Sequence, residues 1–416
     1  MQASVGRASP WRWAVIASFM LVNFIIQVLW ICYAPVSAEA AGFYGVSELS
    51  IGFFAMLFMI AYVPLAIPVA WLIDRFGFKK MVGLGSAIMV AFAFLRGLAG
   101  ANYVLALVGT IGLAIAQPFF LNAWTKVPAH WCPEKERATA VGLITLSNLL
   151  GIAVGMALTP ILAQSFDLPR IQIIYATAAL ASGAIFVLVA REYPKVPVGH
   201  SAKGEKALMV DGLREALGHR SFVLFSIIVF VGMGLFNGVT TWIEPIVASR
   251  GFGAAEAGNL GALLLIGGIL GAVIIPGLSD RSGKRKPWML LGIVASIPSL
   301  IGLTFATSLL AISIAAFFLG FFLTSVMPVG MQYSTEITWP VPEGTTNGLI
   351  QLFGQVSVVF VFFMDAIRDG KGPFTLSLVI SALFLLVAAL FLPFMKESGR
   401  RFGDEETAAA APGTAS

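Results

Sequence analysis

Asp74-Arg75-Phe76-Gly77-Phe78-Lys79-Lys80 follows a long apolar run, and Asp280-Arg281-Ser282-Gly283-Lys284-Arg285-Lys286 follows another. The two heptapeptides stand 206 residues apart. Each opens on Asp-Arg, has Gly fourth and ends basic. A second pair keeps the spacing: Arg137-Ala138-Thr139-Ala140-Val141-Gly142-Leu143 aligns with Glu343-Gly344-Thr345-Thr346-Asn347-Gly348-Leu349. Two independent motifs at one offset mark a duplicated chain. Duplicated six-helix halves are a feature of carriers that rock around a central site.

Composition sets the environment of those halves. Of 416 residues, 58% are hydrophobic and 11% charged, and the mean hydropathy is +0.90. A soluble protein carries about 25% charged residues. This chain cannot cover a water-facing surface, so a soluble enzyme is excluded and an all-α polytopic membrane protein is expected. The net charge of +5 is spread rather than gathered in one patch, so no nucleic-acid partner is expected. Crossing a bilayer takes about 20 apolar residues. Twelve such stretches lie near 12–34, 51–73, 82–99, 104–125, 139–163 and 171–190, then 222–247, 257–279, 288–305, 309–333, 345–364 and 374–394. The polar segment 191–220 holds six Lys/Arg, including Lys203 and Lys206, and divides the spans into two sets of six. The expected organisation is a six-helix bundle over 1–190, a cytoplasmic loop over 191–220, a second bundle over 221–395 and a cytoplasmic tail over 396–416.

Basic residues orient the spans. With both termini in the cytoplasm, only Arg96, Arg170, Arg250, Arg368 and Lys371 of the 26 Lys and Arg fall outside. A multi-pass protein of the plasma (cytoplasmic) membrane is expected. The first apolar stretch lacks a small-residue cleavage site and reads as a span, not a signal peptide. Cys32 falls in the membrane and Cys132 in a cytoplasmic loop, so no disulfide is expected between them. There is no nucleophile–base pair and no metal-ligand spacing. Neither catalysis nor a cofactor is expected. The expected partners are a small-molecule substrate and the lipid bilayer, with the chain acting as a monomer.

The Asp-Arg-x-Gly loop with its basic end resembles the signature of the major facilitator superfamily, and the resemblance runs over nearly the whole chain. Ala70 and Pro276 stand where that family usually has Gly four residues before the Asp. The resemblance implies a cytoplasmic latch formed by Asp74, Arg75, Asp280 and Arg281. A carboxylate at the membrane edge can pair with a cation or face a helix N-terminus. The plainer alternative is a short basic loop that only sets topology.

Polar side chains in a span are costly unless they face the bundle interior or a cavity. Asn23, Gln27 and Trp30 fall on one face of the first helix, at i, i+4 and i+7. Gln117 and Trp124 lie on the fourth, and Ser147 and Asn148 on the fifth. Asn237, Thr241 and Glu244 repeat the i, i+4, i+7 pattern on the seventh. Thr324, Gln332 and Tyr333 lie on the tenth, and Asn347, Gln351 and Gln355 are spaced by four on the eleventh. The third, sixth, ninth and twelfth spans hold only scattered Ser and Thr, apart from Arg96. In the superfamily plan those helices face lipid and the first of each triplet lines the cavity. Any one Asn or Gln could instead bond a neighbouring helix. Trp30 could be an interfacial anchor, and for Trp124 that reading is the better one.

Amides and aromatics with few charges argue against a phosphate or multivalent anion. Lys126, at the end of its span, can snorkel. Glu244 is the main acidic candidate, as a coupling residue or gate, and Pro245 bends or ends its helix. Rings hold a small organic cation at about 0.5–2 kcal/mol per contact. A narrower resemblance runs through Gln27-Val28-Leu29-Trp30-Ile31-Cys32-Tyr33, Gly42-Phe43-Tyr44-Gly45-Val46, Ala61-Tyr62-Val63-Pro64-Leu65 and Pro68-Val69-Ala70-Trp71-Leu72-Ile73-Asp74. It continues at Ala116-Gln117 and from Glu343-Gly344-Thr345 to Gln355. These stretches resemble the feline leukaemia virus subgroup C receptor-related family, carriers associated with choline, ethanolamine and haem. The resemblance implies an aromatic wall at Trp30 and polar contacts at Gln117 and Gln355. A family Tyr in the seventh helix is matched here by Asn237, so Trp242 or Phe236 would have to complete an aromatic cage. A choline- or ethanolamine-like amine is the leading expectation, moved by facilitated diffusion rather than proton coupling. The alternatives are a proton-coupled exporter of drugs or metabolites, an organic-anion porter, a haem exporter, and a receptor built on a carrier fold.

Overall fold

A computed structural model describes residues 10–124, 126–194, 209–339, 341, 343–368 and 372–397. The side chains at 74, 134, 135, 137–139, 209–213 and 343–345 are outside that description. The Asp74 carboxylate of the expected latch, Lys371, residues 195–208 of the expected loop and residues 398–416 of the expected tail therefore lie outside the described residues.

The helices run in chain order as α1 (Trp11–Ile31), α2 (Ser37–Tyr44), α3 (Glu48–Phe76), α4 (Phe78–Leu98), α5 (Tyr103–Leu121), α6 (Lys126–Trp131), α7 (Glu134–Ala163), α8 (Leu168–Val189) and α9 (Met209–Gly218). They continue as α10 (Arg220–Thr241), α11 (Ile243–Ala248), α12 (Ala254–Ser282), α13 (Lys286–Phe305), α14 (Leu309–Ile337), α15 (Glu343–Val356), α16 (Val358–Ala366) and α17 (Thr375–Phe391). Among the described residues twelve helical stretches are long and apolar enough to cross a membrane, at the expected places. The first and seventh are the most enclosed, with 78% and 67% of their apolar windows buried. Leu188, Val273 and Leu310 stand out from the bundle, as side chains meant for lipid do. The N-terminal start of α1 meets the end of α8, where the Trp11 indole N–H donates to the Val189 carbonyl. The Lys396 N–H likewise donates to Ser221 at the start of α10. These contacts define a terminal face; the opposite end of the bundle is the distal face.

Three expected spans are interrupted: the eleventh, expected over 345–364, at Ser357 between α15 and α16, and two others near the distal face. The first, expected over 12–34, stops as a helix at Ile31, passes through a 3-10 turn over Ala34–Val36 and resumes as α2. The seventh, expected over 222–247, stops at Thr241 and resumes as α11. Proline explains the two distal breaks. It lacks an N–H and its ring clashes with the carbonyl four residues back. Four residues before Pro35 is Ile31, and four before Pro245 is Thr241.

The heptapeptides close tight turns. Gly77 has φ +87° and Gly283 φ +64°, conformations that side chains resist. A Cβ on Gly77 would also lie 2.6 Å from the Glu192 carboxylate carbon. That carboxylate accepts from the N–H groups of Phe78 (2.9 Å) and Lys79 (2.7 Å), the orphan donors at the start of α4. The second half repeats the device. Glu397 accepts from the N–H groups of Arg285 (2.9 Å) and Lys286 (3.3 Å) at the start of α13.

Helices approach through small residues, as is usual where lipid supplies no hydrophobic drive. A Cβ on Gly271 of α12 would meet the Phe321 carbonyl of α14 at 1.8 Å, and one on Gly320 would meet the Leu264 carbonyl equally closely. Gly277, also on α12, has open space around it. Replacement of Gly271 by Leu is expected to force α12 and α14 apart and to cost about 1–3 kcal/mol or more. Gly277→Ala is expected to leave the melting temperature of detergent-purified protein unchanged or slightly raised.

Candidate functional site

The polar stripe of α1 sits inside the bundle. Asn23, Gln27 and Trp30 are all buried. The Asn23 amide N–H donates to Phe19 O of its own helix at 2.9 Å. The Gln27 amide N–H donates to Asn148 Oδ1 on α7 at 3.1 Å, and Asn148 in turn donates to Ile144 O. Part of Gln27 is thus spent on joining two helices. What remains is an excess of acceptors. Asn23 Oδ1, Gln27 Oε1 and, on α5, Gln117 Oε1 are buried with no hydrogen-bond partner among the described residues. Buried acceptors without partners are rare and call for a ligand or water.

Trp30 is no interfacial anchor. It is 8% exposed, and its indole N–H donates to Ala55 O on α3 at 3.0 Å. It lines a cavity of about 10 Å³ with Tyr33, Ser37, Gly52, Ala55 and Thr241. That volume holds about one water, so this closed space is far below a small-molecule pocket. Gln117, Asn237, Gln351 and Gln355 do not line it. Asn237 is buried on α10, and Gln351 and Gln355 are half-buried on α15.

Neither proposed replacement ring lines that cavity. Trp242 is fully buried, donates its N–H to Val361 O at 3.1 Å and packs on Phe374 with ring centres 5.7 Å apart. Phe236 faces Leu264, Leu319 and Leu323. The ring that shares the cavity with Trp30 is Tyr33 of the same span. Tyr33 was visible in the sequence within the stretch ending at that residue, but spacing along α1 did not single it out, because the helix breaks just before it. Trp124, expected as an anchor, is half-buried with its N–H toward Val141 O at 3.4 Å.

The distal face is closed by links between the first six spans and the last six. Glu244 accepts from the Ser37 hydroxyl (3.0 Å) and from the Ala38 N–H (2.9 Å) at the start of α2. Arg368 donates to Glu48 at 2.8 Å and lies 3.8 Å from Asp365. A Cβ on Gly52 would meet the Trp242 ring at 2.4 Å, so glycine there lets the two halves touch. One on Gly258 of α12 would meet Met156 O of α7 at 2.5 Å. Sequence reasoning missed Ser37, Glu48 and Arg368. The available signal was that Arg368 is expected on the side of the membrane where the charge rule disfavours a cation.

At the terminal face Asp280 pairs with Arg285 rather than with its neighbour Arg281, which is exposed. Arg285 also donates to Glu336 on α14 (3.0 Å), and Gln332 donates to the same carboxylate (3.1 Å). Arg75 stands exposed over the Trp71 ring, 5.1 Å from its centre. Glu336 was missed too, although Gln332 and Glu336 lie one helical turn apart at the terminal-face end of the tenth span.

Comparison with known proteins agrees with this architecture. Residues 19–360 and 243–414 match the Major Facilitator Superfamily. The human protein named choline/ethanolamine transporter FLVCR2 is 28% identical, over 96% of this chain and 80% of its own. The cat choline/ethanolamine transporter FLVCR1 is 27% identical, over 87% of this chain and 69% of its own. Among solved structures, an inward-facing, unoccupied bacterial homologue of the human lysosomal transporter Spinster superposes with a TM-score of 0.71. It is 17% identical and covers 93% of this chain and 97% of that chain, which speaks to fold.

The distal link is testable without a substrate. Reversal of one charge, as Arg368→Glu, is expected to cost about 1–3 kcal/mol, the worth of hydrogen bonds to charged groups, and to lower the melting temperature. The exchange Glu48→Arg with Arg368→Glu is expected to recover most of that loss. Strictly additive single effects would mean that the pair does not hold the face shut.

Proposed function

The chain belongs to the major facilitator superfamily, and on that premise we propose that it is a secondary transporter that carries a small organic amine of the choline or ethanolamine class by alternating access. The proposed setting is the plasma membrane, with both termini cytoplasmic and the distal face outside. The carrying observation is Trp30. Its N–H is committed to Ala55 and its ring stays inside the bundle at a ring-lined cavity, the arrangement that favours an ammonium group. Names of relatives support the same class.

The orphan oxygens of Asn23, Gln27 and Gln117 supply what a hydroxyl or N–H donor on such a substrate needs. Asn237, Gln351 and Gln355 would complete the polar contacts from the second half, and Tyr33 would supply the second ring in place of Trp242 or Phe236. Glu244 reads as a gate. Its carboxylate is engaged by Ser37 and Ala38 across the two halves, so opening the distal face must break those bonds and the Glu48–Arg368 pair. The proposed cytoplasmic latch includes Asp280 with Arg285 and Glu336, and Asp74, Arg75 and Arg281 remain proposed members.

A ligand that binds only the folded state stabilises it by RT ln(1 + [L]/Kd), about 2.7 kcal/mol at a hundredfold excess over Kd. Choline or ethanolamine is expected to raise the melting temperature of the purified chain, and Trp30→Ala is expected to remove the shift. Stabilisation by carboxylates alone would overturn the amine reading. Uptake into proteoliposomes by Glu244→Gln is expected to keep the pH profile of the parent. An unchanged rate with all pH dependence lost would instead make Glu244 a proton-coupling residue.

A further inference from the structure

Arg96, on α4, is 1% exposed. Among the described residues no carboxylate pairs with it. Its Nη1 donates to Leu29 O at 3.0 Å, and its Nη2 reaches Cys32 Sγ at 3.5 Å. Its guanidinium carbon lies 5.3 Å from the centre of the Tyr33 ring. Its Nε has no partner among the described residues. Gln172 of α8 approaches the same sulfur, with its amide nitrogen at 3.6 Å.

A buried, uncountered guanidinium in a membrane protein is expensive, so its surroundings should explain it. Every contact falls on the broken end of α1. Leu29 O is one of the last helical carbonyls before the break forced by Pro35, and it needs a donor from outside the helix. The negative end of the helix dipole lies there too and favours a cation. The charge is matched to a helix terminus, a sulfur and a ring face instead of a carboxylate.

The fold itself does not require this device. At the 206-residue offset Arg96 corresponds to Gly302 and Gln172 to Leu378. Aligning the two helix breaks places Ile243 opposite Tyr33. The second half therefore packs the same junction with none of these polar groups. What differs functionally is that the first half carries Trp30, bracketed by the residues that Arg96 holds.

We propose that Arg96 is a positioning residue for the amine site: by tying Leu29, Cys32 and Tyr33 to α4 it fixes the angle at which the Trp30 and Tyr33 rings meet the substrate. This rests on the reading of Trp30 as the aromatic wall. Arg96 need not touch the substrate, and its effect passes through the end of α1.

The test uses the full chain in proteoliposomes with radiolabelled choline. Arg96→Lys keeps the charge but cannot bridge Leu29 O and Cys32 Sγ together. It is expected to raise KM about tenfold with Vmax within about twofold, the signature of lost substrate binding. Combined with Trp30→Ala it is expected to add little to the Trp30→Ala effect, because the two act through one contact. Combined with Gln355→Ala, in the other half, it is expected to be additive. Cys32→Ala keeps the charge and the Leu29 bond, and is expected to raise KM about threefold; it decides the matter if Arg96→Lys fails to reach the membrane. An unchanged KM in both variants, alongside a raised KM in Trp30→Ala, would overturn the positioning role alone. Full additivity of Arg96→Lys with Trp30→Ala would do the same. Unchanged uptake in Trp30→Ala would remove the aromatic wall and this inference with it.

Discussion

A proline one turn beyond the end of the first helix of each half deprives the backbone of one donor, and much of the distal face is arranged around that loss. Hydrocarbon offers no hydrogen bonds, so irregular backbone survives at this depth only where protein satisfies it. Ile31 and Thr241 end their helices one turn before Pro35 and Pro245. In the first half, Arg96 satisfies Leu29 O just inside the break. The chain then restarts as α2, whose first N–H groups lack partners of their own, and Glu244 supplies one from the other half. A broken helix thus creates both the need for a donor on α4 and the socket for a carboxylate on α11. The contact that closes the two halves follows from the local defect.

The arginines that depart from the expected charge distribution also sit at helix ends. Arg96 caps α1. Arg250 donates to Leu303 O (2.7 Å) and Ala306 O (3.0 Å), where α13 ends. Arg368 pairs with Glu48 across the halves. Arg170 sits beside Asp167 at the start of α8. Each is held by a specific partner at the end of a helix. The topological rule counts charges, and the first three are better understood as bonds, whereas Arg170 is exposed and makes only a weak surface pair 3.6 Å from Asp167. Arg368 shows the difference most clearly, since its charge is engaged by two carboxylates and stacks 4.8 Å from the Phe374 ring centre.

What could be read in the chain depended on period and composition. Twelve spans, the repeat and the glycine turns of the heptapeptides follow from local pattern, and the glycines at 77 and 283 have a backbone reason. The break in the seventh span was legible as to cause but not to place, because proline acts on the carbonyl one turn earlier. Partners far apart in sequence were not legible. Nothing in a stripe on α10 and α11 says that Glu244 will meet Ser37, or that Gln27 will commit one end of its amide to Asn148. Tyr33 escaped because helical spacing ceases to apply beyond Ile31. Arg285 and Glu336 escaped because the motif drew attention to the two residues that open it, while the basic end of the loop turns back onto α14.

The repeat is not quite even, and the unevenness bears on what the halves can do together. Most elements stand 206 residues from their counterparts, as α3 and α12 do, but the helix breaks stand 210 apart, at Ile31 and Thr241. On that alignment Gln27 corresponds to Asn237, an amide to an amide, whereas Trp30 corresponds to Thr240 and Tyr33 to Ile243. The amide level is therefore duplicated, while the two rings that line the cavity, Trp30 and Tyr33, both belong to the first half. In the proposed reading, a site between two such halves has polar contacts on both walls and an aromatic surface on one. A substrate with an ammonium at one end and a hydroxyl at the other can satisfy that arrangement in one orientation: the cationic end against the first half and the donor end shared between the two. Duplication supplies two halves that can rock. The loss of symmetry at Trp30 and Tyr33 gives the cavity between them a direction.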